Sequence, residues 1–354
     1  MADLKEFLYS VVKNERKGFG IGLLKFFLLI ISFVYQFIVL SILFFYKTGF
    51  LKAVKIPKPV VSVGNLTIGG SGKTPLVEYL AVRFKTNNIK SVILARGYKS
   101  LSAEDLKNDE ILMLEKKLPE VSILSGADRC RNAFNYLQKN DADVFILDDG
   151  FQHWKIKRDL NIVTVDSTDP FGNGYLLPRG VLREPISSLK RAQVVVLTKT
   201  DLGKENIPKL REQLRKINSQ ALIVEAVHEP RSIYDLKMGH HEQMSFLKNR
   251  KICVVASIAQ PQSFERTLEM LGASVAVKYF FMDHHHFSMD DVKRINDRCL
   301  RENIFTVFIT EKDAPKFKDL LTQFDQKLTI YVLSIGIKIV KGEDEFCDRI
   351  DRLS

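Results

Sequence analysis

Residues 59–75 read PVVSVGNLTIGGSGKTP, and this stretch decides the fold. PVVSVG, 59–64, is an apolar, β-branched run that predicts a strand. TPLVEYLAVRFKTN, 74–87, predicts a helix, with Leu76, Leu80 and Phe84 at four-residue spacing. Between them the small residues Gly69, Gly70, Ser71 and Gly72 allow backbone N–H groups to approach phosphate oxygens, and the following helix aims its N-terminus at the same place. Lys73 is placed to reach β- and γ-phosphates, and Thr74 to hold Mg²⁺ through its hydroxyl. Pro75 suits the first turn of a helix, where no intrahelical donor is needed. The strict phosphate-loop pattern is broken, because Thr67 stands where a glycine is required and Gly64 lies three residues earlier. The order strand, loop, helix keeps the physics of the motif intact.

Downstream, SVILARGY (91–98), ADVFILDD (142–149), LNIVTVD (160–166) and AQVVVLTKTD (192–201) read as further strands. Compact apolar strands alternating with helical segments predict an α/β fold with a mostly parallel sheet covered on both faces. After a polar, lysine-rich stretch a second α/β set begins at RKICVVASI, 250–258, and continues through NIFTVFITEKDAPKF, 303–317. The expected organisation is an N-terminal apolar segment at 1–55, a phosphate-loop core at 56–220 and a second, smaller α/β domain at 221–354.

Candidate chemistry gathers at strand ends. Asp148 and Asp149 close DVFILDD at the edge where a parallel sheet presents its site, suited to binding magnesium or polarising a substrate group. Gln152 and His153 leave the same exit. Arg96 ends a strand in ARGY, while Arg179, Arg183 and Glu184 lie in the loop GNGYLLPRGVLREP, a place that displays charge rather than packs a core. In MDHHHF, one of the consecutive His284, His285 and His286 suits an acid–base role better than the cluster suits zinc, since neighbouring side chains diverge and no cysteine pair or HExxH accompanies them. The carboxylate partner of such a histidine is Asp283 or one from the first domain. The charged residues of ITEKDAPKF are equally open to closing a cleft, binding a sugar or capping a helix.

A net charge of +11 favours an anionic partner or surface, yet no zinc-finger spacing or RNA-recognition signature accompanies it, so no nucleic-acid partner is expected. Four scattered cysteines exclude a secreted disulfide framework. From Lys25 to Lys47 the chain reads KFFLLIISFVYQFIVLSILFFYK, whose apolar interior spans roughly 31 Å as a helix, enough to cross a hydrocarbon core. Lys25, Ser32 and Gln36 share one face, so the segment equally suits a helix lying in the interface. Lysines and arginines flank both ends and leave a crossing unoriented.

These motifs together resemble the tetraacyldisaccharide 4'-kinase (lipid A 4'-kinase) family over nearly the whole chain: SVGNLTIGGSGKTP, LARGY, DDGFQH, FGNGYLLPRGVLRE, LTKTD, DHHHF and FITEKDAPK. The resemblance implies a P-loop-containing nucleoside triphosphate hydrolase-like fold with two α/β domains and the active cleft between them. It implies ATP and Mg²⁺ as cofactors, and an acylated glucosamine disaccharide 1-phosphate as acceptor at its 4'-hydroxyl. The setting implied is the membrane lipid bilayer, at the cytoplasmic face of the bacterial inner membrane, and no obligate protein partner is expected. Roles carry over to Lys73 and Thr74 at the phosphates, to Asp148 and Asp149 as the acidic pair, and to Glu184 as a further site carboxylate. Family members carry a GDEP segment whose aspartate pairs with a histidine of the DHH motif. Here the text is NDEI, with Asn108 and Ile111 departing from the pattern, which makes Asp109 the acid and His284 its partner, with His285 the neighbouring alternative. The rival reading is a membrane-associated regulatory NTPase, although Thr198 in TKTD departs from a guanine-reading NKxD.

Overall fold

The computed structural model describes residues 7–8, 10–97, 109–283 and 285–353, with Asp109 described by its backbone alone. Two compact units result, and both are discontinuous in sequence. The helix Asp109–Lys117 clusters with His228–Gly336 in the second unit, and residues from Ile337 onward cluster with the first.

The first unit is built on strands β1 Val60–Asn65, β2 Ser91–Ala95, β3 Ser122–Ser125, β4 Val144–Asp148, β5 Leu160–Asp166, β6 Val194–Thr198 and the start of β7, Leu222–Asp235. Their order is β7-β6-β5-β1-β4-β2-β3, and every pairing is parallel. In β1, β2, β4, β5 and β6 every residue is buried, which is why these strands read as unbroken apolar runs rather than alternating ones. The order reverses about β1, flanked by β4 on one side and β5 on the other, so the crevice at its carboxyl end is the switch point where such sheets bind ligands. Gly64 is required there: a Cβ would stand 2.6 Å from both the Cβ and the backbone nitrogen of Phe151.

The apolar segment forms one helix, Phe19–Lys47. Ser32 and Val39 are buried, while Phe26, Phe33, Phe37 and Phe44 are at least half exposed. Ser32 donates to the Leu176 carbonyl at 2.8 Å and accepts from Arg179 N at 3.0 Å, and Tyr35 donates to the Arg183 carbonyl at 2.9 Å. Further along, the Tyr46 ring lies 6.3 Å from that of Trp154. One polar stripe of the helix is thus bonded along the first unit.

The second unit carries β8 His241–Glu242, paired antiparallel with the end of β7, then β9 Lys251–Ala256, β10 Ser274–Phe280, β11 Thr306–Thr310 and β12 Thr329–Lys341. The order β10-β9-β11-β12 is parallel throughout. Val255, Ile295, Val307, Ile309, Phe317 and Val332 form part of its core. The four cysteines are free thiols and buried.

Candidate active site

The loop between β1 and the helix Lys73–Thr86 turns on two glycines at positive φ, Gly69 at 123° and Gly72 at 82°, conformations that penalise any side chain with a Cβ. Thr67 sits where the strict motif has glycine because that part of the loop is extended. It bridges antiparallel to Leu182, with Ile68 N donating to Val181 O at 2.8 Å and Arg183 N to Leu66 O at 2.7 Å. This small ribbon carries Arg183 and Glu184 to the phosphate loop. The loop is bolted from the other side by the end of β6: Thr198 Oγ1 donates to Ser71 O at 3.0 Å, and Lys199 Nζ to Gly70 O at 3.2 Å. Ser71 Oγ also lies 2.8 Å from Thr164 Oγ1 on β5.

Asp148 ends β4 and is 7% exposed; Asp149 follows at φ 49°, in the left-handed region. Asp149 receives both oxygens' worth of the Arg183 guanidinium, at 2.9 and 2.8 Å, and stands 3.6 Å from Lys73 Nζ. Lys73 also donates to Asn65 Oδ1 at 3.2 Å, and Arg183 reaches the same oxygen. Burial pushes the Asp149 carboxyl up, but the Lys73 ammonium, Arg183 and Arg129 outweigh it and hold the group well below the usual carboxylate range. Arg129 lies almost wholly buried beneath the pair and donates to the Asp149 carbonyl at 3.4 Å; burial lowers its pKa against the pull of both aspartates.

Glu184 is fully buried. It meets Arg191 at 2.6 Å and accepts from Gln152 Nε2 at 3.2 Å, while Gln152 also donates to the Asn65 carbonyl at 3.1 Å. His153 is neutral, its pKa lowered to about 4 by burial first and then by Arg129 and Arg158. Arg96 is exposed at the end of β2 and near enough to Arg129 to act on its charge. Arg179 is turned toward the N-terminal segment, donating to Asn14 Oδ1 at 3.1 Å and covering the Tyr175 ring.

In the second unit His285 Nε2 lies 3.0 Å from Asp291 Oδ2, with its ring stacked on Phe281 at 4.4 Å. Asp291 also completes the capping box of the helix Met289–Arg301 with Ser288. Burial raises the Asp291 carboxyl, and the bonds from Ser288, His285 and Arg294 bring it down to about 2. Asp109 opens its helix in this unit; its side chain, and all of His284, lie outside the described residues. Motif reading missed Asn65, Arg129, Asp291 and the buried Lys199–Asp166 pair at 2.5 Å. The GN at the end of β1 was the available signal for Asn65; Arg129 and Asp291 lie in ordinary helical text.

A phosphate loop at the switch point of a parallel sheet, faced by a carboxylate on the adjoining strand's exit, defines a P-loop nucleotide-binding protein. The family model described as Tetraacyldisaccharide-1-P 4'-kinase matches residues 24–354, and the chain belongs to that family. The tetraacyldisaccharide 4'-kinase of Halothermothrix orenii is 33% identical over 99% of this chain and 98% of its own length. That of Elusimicrobium minutum is 35% identical, over 91% and 89%. A crystal structure of LpxK from Aquifex aeolicus, described as an "apo" form in complex with ATP, aligns with a TM-score of 0.71 at 30% identity, covering 93% of this chain and 99% of that one. The chain is accordingly a kinase that binds ATP and phosphorylates tetraacyldisaccharide 1-phosphate to form lipid IVA, which sets aside the regulatory NTPase.

Proposed function

We propose that transfer to the 4'-hydroxyl proceeds in line, with Lys73 and the loop amides carrying charge on the β- and γ-phosphates. The observation that carries this is the Lys73 ammonium, set between Asn65 at 3.2 Å and Asp149 at 3.6 Å at the mouth of the glycine loop. The donors for Mg²⁺ are hard oxygens in the right places: the Thr74 hydroxyl in the first helical turn and the Asp148 carboxylate at the end of β4. Asp149 and Glu184 are already engaged by cations, and among the described residues no group of three or more His, Cys, Asp and Glu gathers as a cage. That donor set fits an ion held by one or two side chains plus substrate phosphates. An Mg²⁺ ion held by Thr74 and Asp148 would supply neutralisation of the negative charge on the phosphates. Asp109 with His284 takes the proton from the sugar hydroxyl. Following γ-³²P from ATP into extracted lipid tests the transfer. Label in the tetraacyldisaccharide acceptor with the wild type, and its loss in Lys73→Ala, supports the site; wild-type labelling by Lys73→Ala overturns it.

The enzyme works at a membrane surface, at the cytoplasmic face of the inner membrane, with its apolar helix lying in the interface rather than crossing. Fourteen residues, about 21 Å of helix axis, separate Ser32 from Tyr46, and both ends of that length touch the first unit. A crossing of some 30 Å would drag the phosphate-loop unit into hydrocarbon, whereas an interfacial helix buries only its outward phenylalanines. The acyl chains of the acceptor stay in the bilayer while its sugar is phosphorylated. Protection of Phe33 and Phe37 from a water-soluble footprinting reagent in vesicles, with residues on both flanks accessible from one side only, is the expected result; flanks accessible from opposite sides refute it.

A further inference from the structure

The three charged residues of the EKD triplet after β11 each grip another part of the second unit. Asp313, fully buried, accepts from Ser257 N at 3.0 Å, from the Ser257 hydroxyl and from Thr310 Oγ1 at 2.7 Å, joining the ends of β9 and β11. Glu311 meets Lys117, the last residue of the helix Asp109–Lys117, at 2.7 Å and accepts from Ile335 N at 3.2 Å. Lys117 donates in turn to the Ile335 carbonyl at 3.1 Å. Lys312 takes the opposite end of the same helix: its ammonium lies 3.2 Å from Glu110 and 2.9 Å from Asp283, with its side chain 16% exposed. Burial lowers the Lys312 pKa, and the carboxylates of Glu110 and Asp283 reverse this and raise it, so the ammonium is kept.

These two carboxylates are not ordinary surface partners. Glu110 directly follows Asp109, and Asp283 directly precedes His284. Because one nitrogen touches both, their oxygens stand no more than about 6 Å apart, a range in which like charges raise each other's energy unless a cation intervenes. We propose that Lys312 is a positioning residue for proton transfer: its ammonium ties Glu110, the neighbour of Asp109, to Asp283, the neighbour of His284, and acts on the acid–base pair through them. The inference rests on the reading of Asp109 and His284 as the pair that takes the sugar proton. Without it the tie between Glu110 and Asp283 is lost, whether or not those two groups carry charge, and the ATP loop keeps its own contacts.

The test is steady-state kinetics of the full chain in detergent with ATP and tetraacyldisaccharide 1-phosphate, for Lys312→Met, Lys312→Arg, Asp109→Ala, His284→Ala and Lys312→Met combined with Asp109→Ala. Misplacing an acid–base pair by about 1 Å costs on the order of 10²-fold, so Lys312→Met is expected to lose at least about 10-fold in kcat with KM for ATP within about twofold. Lys312→Arg keeps the cation and recovers most of the rate. The double variant is expected to be no slower than Asp109→Ala alone, as residues acting through one unit are non-additive. Wild-type kcat in Lys312→Met, or a fully additive loss in the double variant, overturns the proposal. Should Lys312→Met not fold, Lys312→Met with Glu110→Gln and Asp283→Asn removes the stranded charges; loss of kcat there supports the positioning role and wild-type kcat refutes it. Wild-type rates in both Asp109→Ala and His284→Ala sink the acid–base reading itself, whereas losses there beside an intact Lys312→Met sink only the role of Lys312.

Discussion

Replacing Arg183 by methionine keeps an unbranched stem of similar reach and removes one guanidinium. That guanidinium makes two parallel bonds to Asp149, at 2.9 and 2.8 Å, and meets the Asn65 side chain at the end of β1. The Arg183 and Asp149 side chains are 17% and 26% exposed. Breaking a fully buried pair costs about 3–5 kcal/mol and an exposed one about 0–1. With a quarter of the carboxylate in water and Lys73 still 3.6 Å away, the cost here is about 2 kcal/mol. In a unit of this size that is a fall in Tm of about 4–8 °C.

The pH dependence has a definite sign. The folded-state pKa of Asp149 is depressed, so the stabilisation it brings is complete above the ordinary carboxylate value and is lost as pH falls through the lower folded one. The gap between wild type and Arg183→Met is therefore full at neutral pH and narrows below about pH 4. Turnover on the lipid acceptor is expected to fall about 10²-fold, because Asp149 at φ 49° loses the contact that aims it. Combining Arg183→Met with Asp149→Asn removes the stranded charge, recovering part of the Tm and none of the rate. Thermal melts by circular dichroism across pH, beside kcat, decide the matter. A Tm within about 1 °C of wild type at neutral pH together with an unchanged kcat refutes the reasoning, since the contact would then be no more than a surface pair.

Gly64→Ala places a Cβ 2.6 Å from the Phe151 backbone, and denaturant melts are expected to show a loss of about 2–3 kcal/mol or no folded protein. His153, held neutral with its pKa lowered from 6.5 to about 4, lets the unfolded chain bind the extra proton between those values. Stability should thus rise with pH across that window by about 1–2 kcal/mol after discounting for partial exposure, and His153→Gln should flatten the rise. Phe33→Glu with Phe37→Glu, at sites 61% and 73% exposed, should weaken co-sedimentation with anionic vesicles by at least about 10-fold; unchanged binding would place the membrane contact elsewhere.

Much of the first unit was legible because its strands are buried on both faces, which leaves a strong apolar signature in the text. VVSVGN, VFILD, LNIVTVD and VVVLT stand within three residues of where their runs predict them. The long strands β7 and β12 were not: LIVEAVHEPRSIYD contains a proline and four charges, and its burial fades along its length, so no single period survives. The placement of the helix Asp109–Lys117 was also beyond the text. It lies between β2 and β3 in sequence yet packs in the second unit, where ion contacts from Glu311 and Lys312, some two hundred residues away, help to hold it beside its buried Ile111 and Leu114. Short-range pattern cannot report such a tie.

The broken phosphate-loop motif makes the same point at the scale of one residue. A glycine at position 67 would serve a loop that wraps the phosphates from its first residue. This loop instead begins as a strand, pairing Thr67 with Leu182 and bonding Leu66 and Ile68 to Arg183 and Val181. Extended backbone needs no glycine and favours a β-branched residue. The positive φ angles are deferred to Gly69 and Gly72, which are present. Thr67 is thus the residue that lets the ribbon form, and the ribbon is what brings Arg183 across to Asp149 and Glu184 to Gln152. The departure from the motif and the assembly of the acidic side of the site have one cause.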